Sequence, residues 1–424
     1  MNIAVIGAGY VGLVTAAGLA SLGHTVALAE ANPDRVRRLE DGEVPIFESG
    51  LDELIHWARA SKRLHFHTSN HEAVKGAELV FLCLPTPAGE DGRADLSFVE
   101  TVVEELAHSL DPDAAFVVKS TVPPGTANSL QNYLHSVGSS ASVVAHPEFL
   151  REGTAVHDFL HPDRIVIGAE DPIHVKAVAS LYDSLATEVV STDHTSAEMI
   201  KYASNSYLAA RLTFANTLAN LCEAVGADIM DVLSGVGLDH RIGPHFLKPG
   251  PGYGGSCFPK DTLALISLAE DAGYDFRLLK AVIDADDEQR RRVADKVKAA
   301  AGGGLRGRRV AIWGVAFKAG TDDVRESPAS RIAALLQKEG AHVTAYDPEA
   351  RDPNLRHVDS PLAAVEGADV LLVATEWPEF AKVDFEEVAA RMRGHRVVDA
   401  RNLLDPLHVR AAGLDYYGLG RPNA

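Results

Sequence analysis

The pattern of hydrophobic and polar positions is most regular in the first thirty residues. A short apolar run, Ile3–Ile6, precedes a glycine-rich segment at 7–12, and an Ala- and Leu-rich stretch from Leu13 to Leu22 follows it. A second apolar run, Thr25–Ala29, ends at the acidic Glu30. Short apolar runs are typical of strands buried in a parallel sheet, and the longer stretch predicts a helix. The chain therefore begins as a predicted strand–turn–helix–strand unit.

The glycine-rich segment, GAGYVG, has the GxGxxG spacing of dinucleotide-binding folds. Its first two glycines, Gly7 and Gly9, would let backbone N–H groups approach a pyrophosphate, and Gly12 would let the helix pack closely on the strand. The helix N-terminus adds positive potential for the phosphates. Because strand, helix and terminal acid surround the motif in the right order, the sequence predicts a dinucleotide site here.

Three later strand patterns each end in polar residues. In open α/β sheets, ligands bind at the carboxyl ends of the strands. The strand patterns and the polar segments that follow them are Glu78–Leu84 with 85–87 (PTP), Phe116–Val118 with 119–121 (KST), and Val143–Ala145 with 146–148 (HPE).

From residue 192 the short strand patterns give way to long helical ones. A helical pattern runs from Thr195 to about Gly226, roughly 45 Å at 1.5 Å per residue, and 195–198 has the form of a capping box. A helix of that length spans a domain boundary or builds an interface. More helical pattern follows Asp228 and occupies 261–301, and the glycine-rich stretch 301–307 predicts a linker.

After the linker, strand and helix patterns like those of the N-terminal part return. The segment 367–378 echoes 76–87, and 396–401 echoes 116–121, but the second copy lacks a complete GxGxxG. Its cleft is therefore free for another nucleotide-like ligand. We expect an α/β fold in which two Rossmann-like, doubly wound domains are joined by a central helical domain with a long helix. The predicted boundaries are 1–191, 192–301 and 308–424.

Composition excludes several classes of protein. The 40 basic and 59 acidic residues give a net charge of −19, which disfavours a general nucleic-acid binder, although a few arginines in a cleft could still hold an anionic metabolite. No apolar run approaches the roughly 20 residues that span a bilayer, so no membrane partner is expected. Three cysteines cannot form a disulfide framework and suit a reducing cytoplasm. The three cysteines show no CxxC spacing, and no metal site is expected.

Cys257 is the most conspicuous candidate for chemistry. It lies in the glycine-rich loop GPGYGGSCFPKD (250–261), just before a helix predicted to begin near Asp261. The helix end and the Lys260 ammonium both favour the thiolate, and the glycines let a substrate approach the sulfur. Cys83, in a strand pattern, and Cys222, in a helical one, are expected to be inert core residues.

Two other pairs of polar residues are ambiguous when taken alone. Lys201 and Asn205 share one face of the long helix and could bind one small group, or could form part of a solvated face. Glu148 and Glu152 flank a strand end and could be catalytic, or could belong to a helix cap.

Seven motifs in order make the chain recognisable. It closely resembles the UDP-glucose 6-dehydrogenase family of nucleotide-sugar dehydrogenases over essentially its whole length. The resemblance implies a four-electron oxidation of the sugar C6 alcohol to a carboxylate with two NAD molecules. The motifs are GAGYVGLVTA (7–16), STVPPGT (120–126), HPEFLREGTA (146–155), KYASNSYLA (201–209), RIGPHFLKPGPGYGGSCFPKD (241–261), FKAGTDDVRESP (317–328) and DARN (399–402).

The resemblance assigns a catalytic set. Cys257 would attack the C6 aldehyde to give a thiohemiacetal, and a second oxidation would leave a thioester for water to hydrolyse. Lys201 and Asn205 would hold the C6 oxygen. The remaining catalytic residues would be Asp261 and Thr121, which position the water, and Glu148, which assists hydrolysis.

The resemblance also implies two binding sites and a homodimer. Arg241 matches an arginine that the family presents from the neighbouring subunit, and the arginines and lysines suit a diphosphate. The implied NAD contacts are Gly7, Gly9, Tyr10, Val11, Gly12, Glu30, Arg35, Thr86, Thr121, Glu152, Lys260 and Arg325. The implied UDP-glucose contacts are Glu148, Phe149, Leu150, Arg151, Glu152, Lys201, Asn205, Arg241, Phe246, Leu247, Lys248, Pro249, Gly250, Gly254, Phe317, Lys318 and Arg401.

Three other functions remain open at this point. The same chemistry could act on another nucleotide sugar, such as GDP-mannose or a UDP-N-acetylhexosamine. A two-electron hydroxyacid dehydrogenase would share the architecture but would not need Cys257. A non-catalytic NAD-binding regulator would not need Cys257, Lys201, Asn205 and Asp261 together.

Overall fold

A computed structural model of the chain describes residues 1–89 and 91–422. The chain divides into two compact units. The first comprises Met1–Ser204 with Leu263–Leu268, and the second comprises Asn205–Thr262 with the chain from Ala269 onward. Among the described residues, no helix is both long enough and apolar enough to cross a membrane.

The first unit is built on an eight-stranded sheet with the strand order β3-β2-β1-β4-β5-β6-β7-β8. β6 and β7 pair antiparallel, and the other neighbouring strands pair parallel. The strands are β1 (Asn2–Ile6), β2 (Thr25–Ala29), β3 (Leu64–His67), β4 (Leu79–Leu82), β5 (Ala115–Val118), β6 (Ser142–Ala145), β7 (Ile165–Gly168) and β8 (Val189–Thr192).

Helices connect these strands and cover the sheet. β4 and β5 are buried along their whole length, as expected for central strands between two helical layers. α1 packs so tightly that a Cβ on Gly18 would lie 2.3 Å from the Phe159 ring. The helices are α1 (Tyr10–Ser21), α2 (Pro33–Glu40), α3 (Leu51–Ala60), α4 (Asn70–Ala73), α5 (Ser97–Leu106), α6 (Thr126–Ser136), α7 (Ala155–Leu160) and α8 (Pro172–Ser180).

The central part of the chain is helical. The long helix α9 begins in the first unit and ends in the second, and α11 also has residues in both. The four helices are α9 (His194–Val225), α10 (Ile229–Gly237), α11 (Phe258–Asp271) and α12 (Arg277–Ala300).

The second unit carries a six-stranded parallel sheet with the order β11-β10-β9-β12-β13-β14. Trp313 and Phe380 lie at the centre of its core, with ring centroids 5.3 Å apart. Its elements are β9 (Arg309–Trp313), α13 (Pro328–Lys338), β10 (His342–Tyr346), β11 (Arg356–His357), α14 (Pro361–Ala364), β12 (Val370–Val373), α15 (Phe385–Arg391), β13 (Arg396–Asp399), α16 (Pro406–Ala411) and β14 (Asp415–Gly418), with a 3₁₀ turn at Phe380–Lys382.

The predicted fold class is confirmed. The echoed sequence segments become equivalent strands, because β4 and β12 each pair with the first strand of their sheet, and β5 and β13 each follow next. Both sheets thus begin with the doubly wound order of a Rossmann-like fold.

Two helix starts differ from the sequence prediction. The prediction of a capping box at 195–198 is wrong. The Asp193 carboxylate instead accepts the Ser196 N–H at 2.8 Å at the start of α9. Glu198 instead accepts the backbone N–H groups of Gly125 and Ala127 at the start of α6. α11 begins at Phe258 rather than near Asp261, because proline suits the first helical turn and Pro259 occupies it.

Candidate active site

The glycine turn between β1 and α1 fits a dinucleotide phosphate group. Gly7 has φ +100°, and a Cβ there would lie 2.6 Å from the Cys83 carbonyl oxygen. A Cβ on Gly12 would lie 1.8 Å from the Gly7 carbonyl oxygen, whereas Gly9 faces open space. The N-cap residue of α1, Gly9, has no side chain to cap the helix, and the first turn contains no acidic residue. The N–H groups at this helix end are therefore available to an anion.

Glu30 lies beside this turn, directly after β2. Its Oε2 accepts the Ala8 N–H at 3.3 Å, and its Oε1 accepts the Asn32 N–H at 2.9 Å. Arg35 follows in the first turn of α2, and its Nε is buried without a hydrogen-bond partner in the described part of the chain. A bound polar ligand would satisfy such a donor, so the residues around Glu30 fit a dinucleotide.

The ends of β4 and β5 bring two predicted contact residues together. The Thr86 hydroxyl donates to the Thr121 carbonyl at 2.9 Å. The loop after β6 is tethered to α1, because the Gly153 N–H donates to the Tyr10 hydroxyl at 2.7 Å. Glu152, next to Gly153, is half-buried. This loop therefore lies beside the glycine turn, because Tyr10 is the first residue of α1.

A buried ion pair joins Glu148 and Lys201 within the first unit. Lys201 Nζ lies 3.0 Å from Glu148 Oε1, and the two side chains are only 4% and 6% exposed. Glu148 Oε2 accepts the Leu150 N–H. Lys201 Nζ also lies 5.4 Å from the centre of the Phe149 ring. Arg151 is instead exposed and pairs with Asp158, which raises the pKa of its guanidinium.

A second buried group, missed by the sequence analysis, lies close by in the same unit. Lys119 Nζ is 3.1 Å from His146 Nε2, which is also 2.9 Å from the Tyr182 hydroxyl. His146 Nδ1 faces the Val166 carbonyl at 2.7 Å, so Nδ1 carries the proton and Nε2 accepts. Burial lowers the pKa of Lys119 to about 8 and holds that of His146 well below its usual value. Both residues follow buried strands, which was the available signal.

Asn205 and Asp261 are in contact in the second unit. Asn205 Nδ2 donates to Asp261 Oδ2 at 2.6 Å, and Lys260 Nζ donates to Asp261 Oδ1 at 2.7 Å. Asp261 is fully buried. The predicted NAD contact Lys260 is thus paired with the predicted catalytic Asp261.

Cys257 is the residue immediately before α11. Its carbonyl accepts the Asp261 N–H at 2.8 Å, the first hydrogen bond of that helix, and its Sγ lies 3.6 Å from the Ser256 hydroxyl. Cys257 is half-buried, whereas Cys83 and Cys222 are buried, and burial raises the pKa of Cys83 to about 12. Cys257 is therefore the cysteine that combines partial exposure with a helix N-terminus, a position that favours thiolate.

The loop before Cys257 is held by side chains from two helices. The Gly250 N–H donates to Asn216 Oδ1 at 2.7 Å, and Gln289 Nε2 donates to the Gly250 carbonyl at 2.9 Å. Close packing requires glycine at 254, where a Cβ would lie 2.5 Å from the Glu326 carbonyl. Of the residues before this loop, Leu247 and Pro249 are buried, Phe246 is half-buried with φ +57°, and Lys248 is exposed.

Arg401 brings the loop and the C-terminal sheet of the second unit together. Its guanidinium donates to the carbonyls of Phe317 at 2.8 Å and Ala374 at 2.9 Å. A Cβ on Gly250 would lie 3.2 Å from Arg401 Nη1. Lys318 Nζ lies 5.6 Å from the Phe317 ring. Arg401 Nε also lies 3.0 Å from Glu376 Oε2, so this predicted nucleotide-sugar contact is already paired with a carboxylate.

Two other predicted arginines of the second unit pair with acidic side chains. Arg241 is exposed and forms an ion pair with Asp239 at 2.6 Å. Arg325 is also largely exposed and pairs with Asp323 at 2.7 Å, although its carbonyl accepts the Gly255 N–H.

Comparison with known proteins identifies three domains of one family along the chain. Residues 1–186 match the NAD-binding domain of the UDP-glucose/GDP-mannose dehydrogenase family, residues 195–288 its central domain, and residues 311–406 its UDP-binding domain.

Similar proteins match over nearly the whole chain. The UDP-glucose 6-dehydrogenase of Rhizobium meliloti is 42% identical, covering 100% of both chains, and that of Pseudomonas aeruginosa is 43% identical, covering 100% of this chain and 98% of its own. The solved UDP-glucose dehydrogenase of Pyrobaculum islandicum has a TM-score of 0.92 at 39% identity, covering 99% and 97%. The UDP-D-ManNAc dehydrogenase of Pyrococcus horikoshii has a TM-score of 0.91 at 29% identity, with both chains fully covered.

Proposed function

Because the chain belongs to the UDP-glucose/GDP-mannose dehydrogenase family, we propose that it oxidises UDP-glucose to UDP-glucuronate with NAD. Relatives named as UDP-glucose 6-dehydrogenases, at 42% and 43% identity, support this substrate. One observation carries the proposal: Cys257 presents a half-buried thiol immediately before α11, in the same unit as the buried Asn205–Asp261 pair. A dehydrogenase that removes only two electrons needs no such thiol.

The first oxidation converts the C6 alcohol to an aldehyde, so the alcohol loses a hydride from carbon and a proton from oxygen. We assign Lys201 and Asn205, one turn apart on α9, to the C6 oxygen. Lys201 already donates to the buried Glu148, and Asn205 to the buried Asp261, so both donors are held in place. Fixed donors of this kind stabilise negative charge as it develops on oxygen.

The second oxidation requires Cys257, because an aldehyde has no hydroxyl to lose a proton while its carbon loses a hydride. The Cys257 thiolate adds to the aldehyde carbon, and the carbonyl oxygen takes up a proton, which gives a thiohemiacetal. Loss of a hydride from that carbon and of the hydroxyl proton then leaves a thioester. The position of Cys257 at the start of α11 supports the thiolate that this step needs.

Water completes the reaction by hydrolysing the thioester. Attack of water on the thioester carbon releases the carboxylate, the Cys257 thiolate and two protons. We propose that Asp261 and Thr121 position the water and that Glu148 assists by accepting a proton. The Asn205 and Lys260 hydrogen bonds to Asp261 would hold its side chain in place for this role.

The first unit would hold NAD by its glycine turn and the surrounding strand ends. When bound, NAD supplies the hydride acceptor for each oxidation. The N–H groups at the start of α1, beside Gly7, Gly9 and Gly12, would bind the pyrophosphate, and Glu30 would accept from a ribose hydroxyl. The remaining proposed contacts are Tyr10, Val11, Arg35, Thr86, Thr121, Glu152, Lys260 and Arg325.

The second unit would hold the UDP group, with Arg401 and Lys318 binding the diphosphate. Arg401 is ordered by the Phe317 and Ala374 carbonyls, which lowers the entropy lost when it binds an anion. We propose that the other sugar-nucleotide contacts are Glu148, Phe149, Leu150, Arg151, Glu152, Phe246, Leu247, Lys248, Pro249, Gly250, Gly254 and Phe317.

We also propose that the chain works as a homodimer formed along α9. Tyr207, Phe214, Leu221 and Val225 are each more than half exposed, and spacings of seven and four residues place them on one helix face. A second copy is a suitable partner for a stripe of this kind, because a two-fold interface lets the same apolar face cover itself. Exposed Arg241 would then be available to the neighbouring subunit.

A reducing compartment is consistent with this chemistry. The proposed role requires the Cys257 thiol, and cytosolic glutathione and thioredoxin keep such thiols reduced. We therefore propose the cytoplasm as the site of action.

The proposed substrate can be tested against its closest alternative. The resemblance to a UDP-D-ManNAc dehydrogenase supports the same chemistry on another nucleotide sugar as the second candidate. NADH formation should be measured with UDP-glucose, UDP-N-acetylglucosamine, UDP-N-acetylmannosamine and GDP-mannose, with product mass determined for each. We expect UDP-glucose to give the highest kcat/KM and a carboxylate product. A higher kcat/KM with another sugar would reassign the substrate, and no NADH with any of them would contradict the proposed function.

A further inference from the structure

A buried ion pair on α12 contacts the loop that precedes Cys257. Asp286 and Arg290, one helical turn apart, are 1% and 6% exposed. Burial raises the pKa of Asp286 to about 6, so the carboxyl is still ionised at neutral pH beside Arg290. Two buried charges of this kind bring little net stability, because removing them from water offsets their attraction. A contribution to stability therefore does not explain why this ion pair is buried beside the loop.

The pair binds both backbone polar groups of one loop residue. Asp286 Oδ1 accepts the Tyr253 N–H at 2.9 Å, and Arg290 Nη2 donates to the Tyr253 carbonyl at 2.8 Å. Gly252 makes this approach possible, since a Cβ there would lie 3.0 Å from Asp286 Oδ1. Gln289, on the same helix, donates to the Gly250 carbonyl at 2.9 Å. α12 thus holds the loop at two points.

Tyr253 transmits this restraint toward the cysteine. Its ring is buried and meets the Phe258 ring edge to face, with centroids 6.2 Å apart. Phe258 is the first residue of α11 and directly follows Cys257. A displacement of Tyr253 would therefore move Phe258, and with it the adjoining Cys257 at the start of α11.

We propose that Asp286 and Arg290 are positioning residues that fix Tyr253 and, through it, the Cys257 thiol. This inference rests on the proposed role of Cys257. Misplacing a reacting group by about 1 Å can lower turnover by about a hundredfold, so a clamp on the loop would act on kcat. The glycine turn proposed to bind the NAD pyrophosphate lies in the first unit, so NAD affinity should change much less than kcat.

Two substitutions of Asp286 and one of its neighbour test the clamp. Asp286→Ala removes the acceptor of the Tyr253 N–H, whereas Asp286→Asn keeps an acceptor oxygen at the same place. Asp287→Asn is the matched control, because Asp287 pairs with Arg290 but not with Tyr253. Each purified chain should be measured for kcat and KM with UDP-glucose and NAD, for NAD binding, and for hydrogen exchange of the peptide that contains Tyr253.

We expect Asp286→Ala to exchange the Tyr253 amide at least tenfold faster and to lose about tenfold to a hundredfold in kcat, with the NAD dissociation constant unchanged within about twofold. Asp286→Asn should keep both kcat and exchange within about threefold of wild type, and Asp287→Asn should change neither. If Asp286→Ala fails to fold, Asp286→Val takes its place with the same expected results, because valine also removes the acceptor of the Tyr253 N–H but fills more of the space.

The inference would also be overturned if Asp286→Ala kept normal exchange, if faster exchange left kcat unchanged, or if Asn at 286 were as harmful as Ala. A wild-type chain without NADH formation on any nucleotide sugar would instead contradict the proposed function. Exchange at Tyr253 would then still show whether Asp286 holds the loop.

Discussion

Replacement of Lys119 by methionine should stabilise the protein at neutral pH. Lys119 is 5% exposed, and its ammonium donates to His146 Nε2 at 3.1 Å. Methionine has a similar length and no charge, so it can fill the same space. His146 keeps a donor after the change, because the Tyr182 hydroxyl lies 2.9 Å from the same nitrogen. The substitution therefore removes a buried charge without leaving a buried acceptor unsatisfied.

The expected size follows from the pKa of Lys119. Burial lowers this pKa from its usual 10.5 to about 8, so the folded state binds the proton less tightly than the unfolded state does. A difference of about 2.5 pKa units corresponds to roughly 3 kcal/mol at pH 7, where both states are charged. Stability therefore rises as pH increases from about 8 toward 10.5, because the unfolded state then binds more protons.

Thermal and urea unfolding of wild type and Lys119→Met should be compared from pH 7 to pH 9.5. We expect the variant to be more stable by about 1–3 kcal/mol at pH 7, an advantage that shrinks above pH 8 as wild-type Lys119 loses its proton. Lys75→Met, at an exposed lysine, should stay within about 0.5 kcal/mol of wild type throughout. A variant less stable than wild type at pH 7, or a difference independent of pH, would refute the reasoning.

The remaining predictions concern the cofactor and the assembly. Glu30 should repel a 2′-phosphate, so kcat/KM should be at least a hundredfold higher with NAD than with NADP; comparable values would contradict its role. We expect light scattering to give a dimer for wild type and a monomer for Phe214→Asp. Ile173 is an exposed apolar residue of the first unit, and Ile173→Asp should leave the mass at that of wild type; a wild-type monomer would contradict the proposed interface. A mixture of Arg241→Ala and Cys257→Ala chains should regain activity in heterodimers, and no recovery would place Arg241 outside the neighbouring site.

Local sequence was sufficient to predict the structure where a short segment requires a particular residue type. Gly7 and Gly12 are required by contacts of 2.6 Å and 1.8 Å that a Cβ would make, so the turn they form is visible in the sequence itself. The period of the apolar residues then identified β1, α1 and β2 within a few positions. Cys257 was conspicuous for a similar reason, because glycines surround a thiol at a helix start.

The sequence was insufficient to predict the partners of a side chain that contacts a segment far away along the chain. Glu198 matched a capping box, yet it binds N–H groups some seventy positions earlier. The position of Lys119 after a buried strand does not show that its ammonium contacts His146. Nothing local indicates that Asp286 accepts a hydrogen bond from a loop 33 residues away. Such roles arise only when non-local strands and helices pack, and the proposed catalytic and binding residues likewise stay predictions until they are tested.

The number of NADH molecules formed per sugar tests the central claim most directly. A limiting amount of UDP-glucose should be consumed with excess NAD, and NADH, carboxylate and free aldehyde should be measured. The account predicts two NADH and one carboxylate for each UDP-glucose, with no aldehyde accumulating, because Cys257 retains it between the two oxidations. Cys257→Ala should still bind NAD but lose acid formation by orders of magnitude. One NADH per sugar, or near-normal acid formation by Cys257→Ala, would contradict the account.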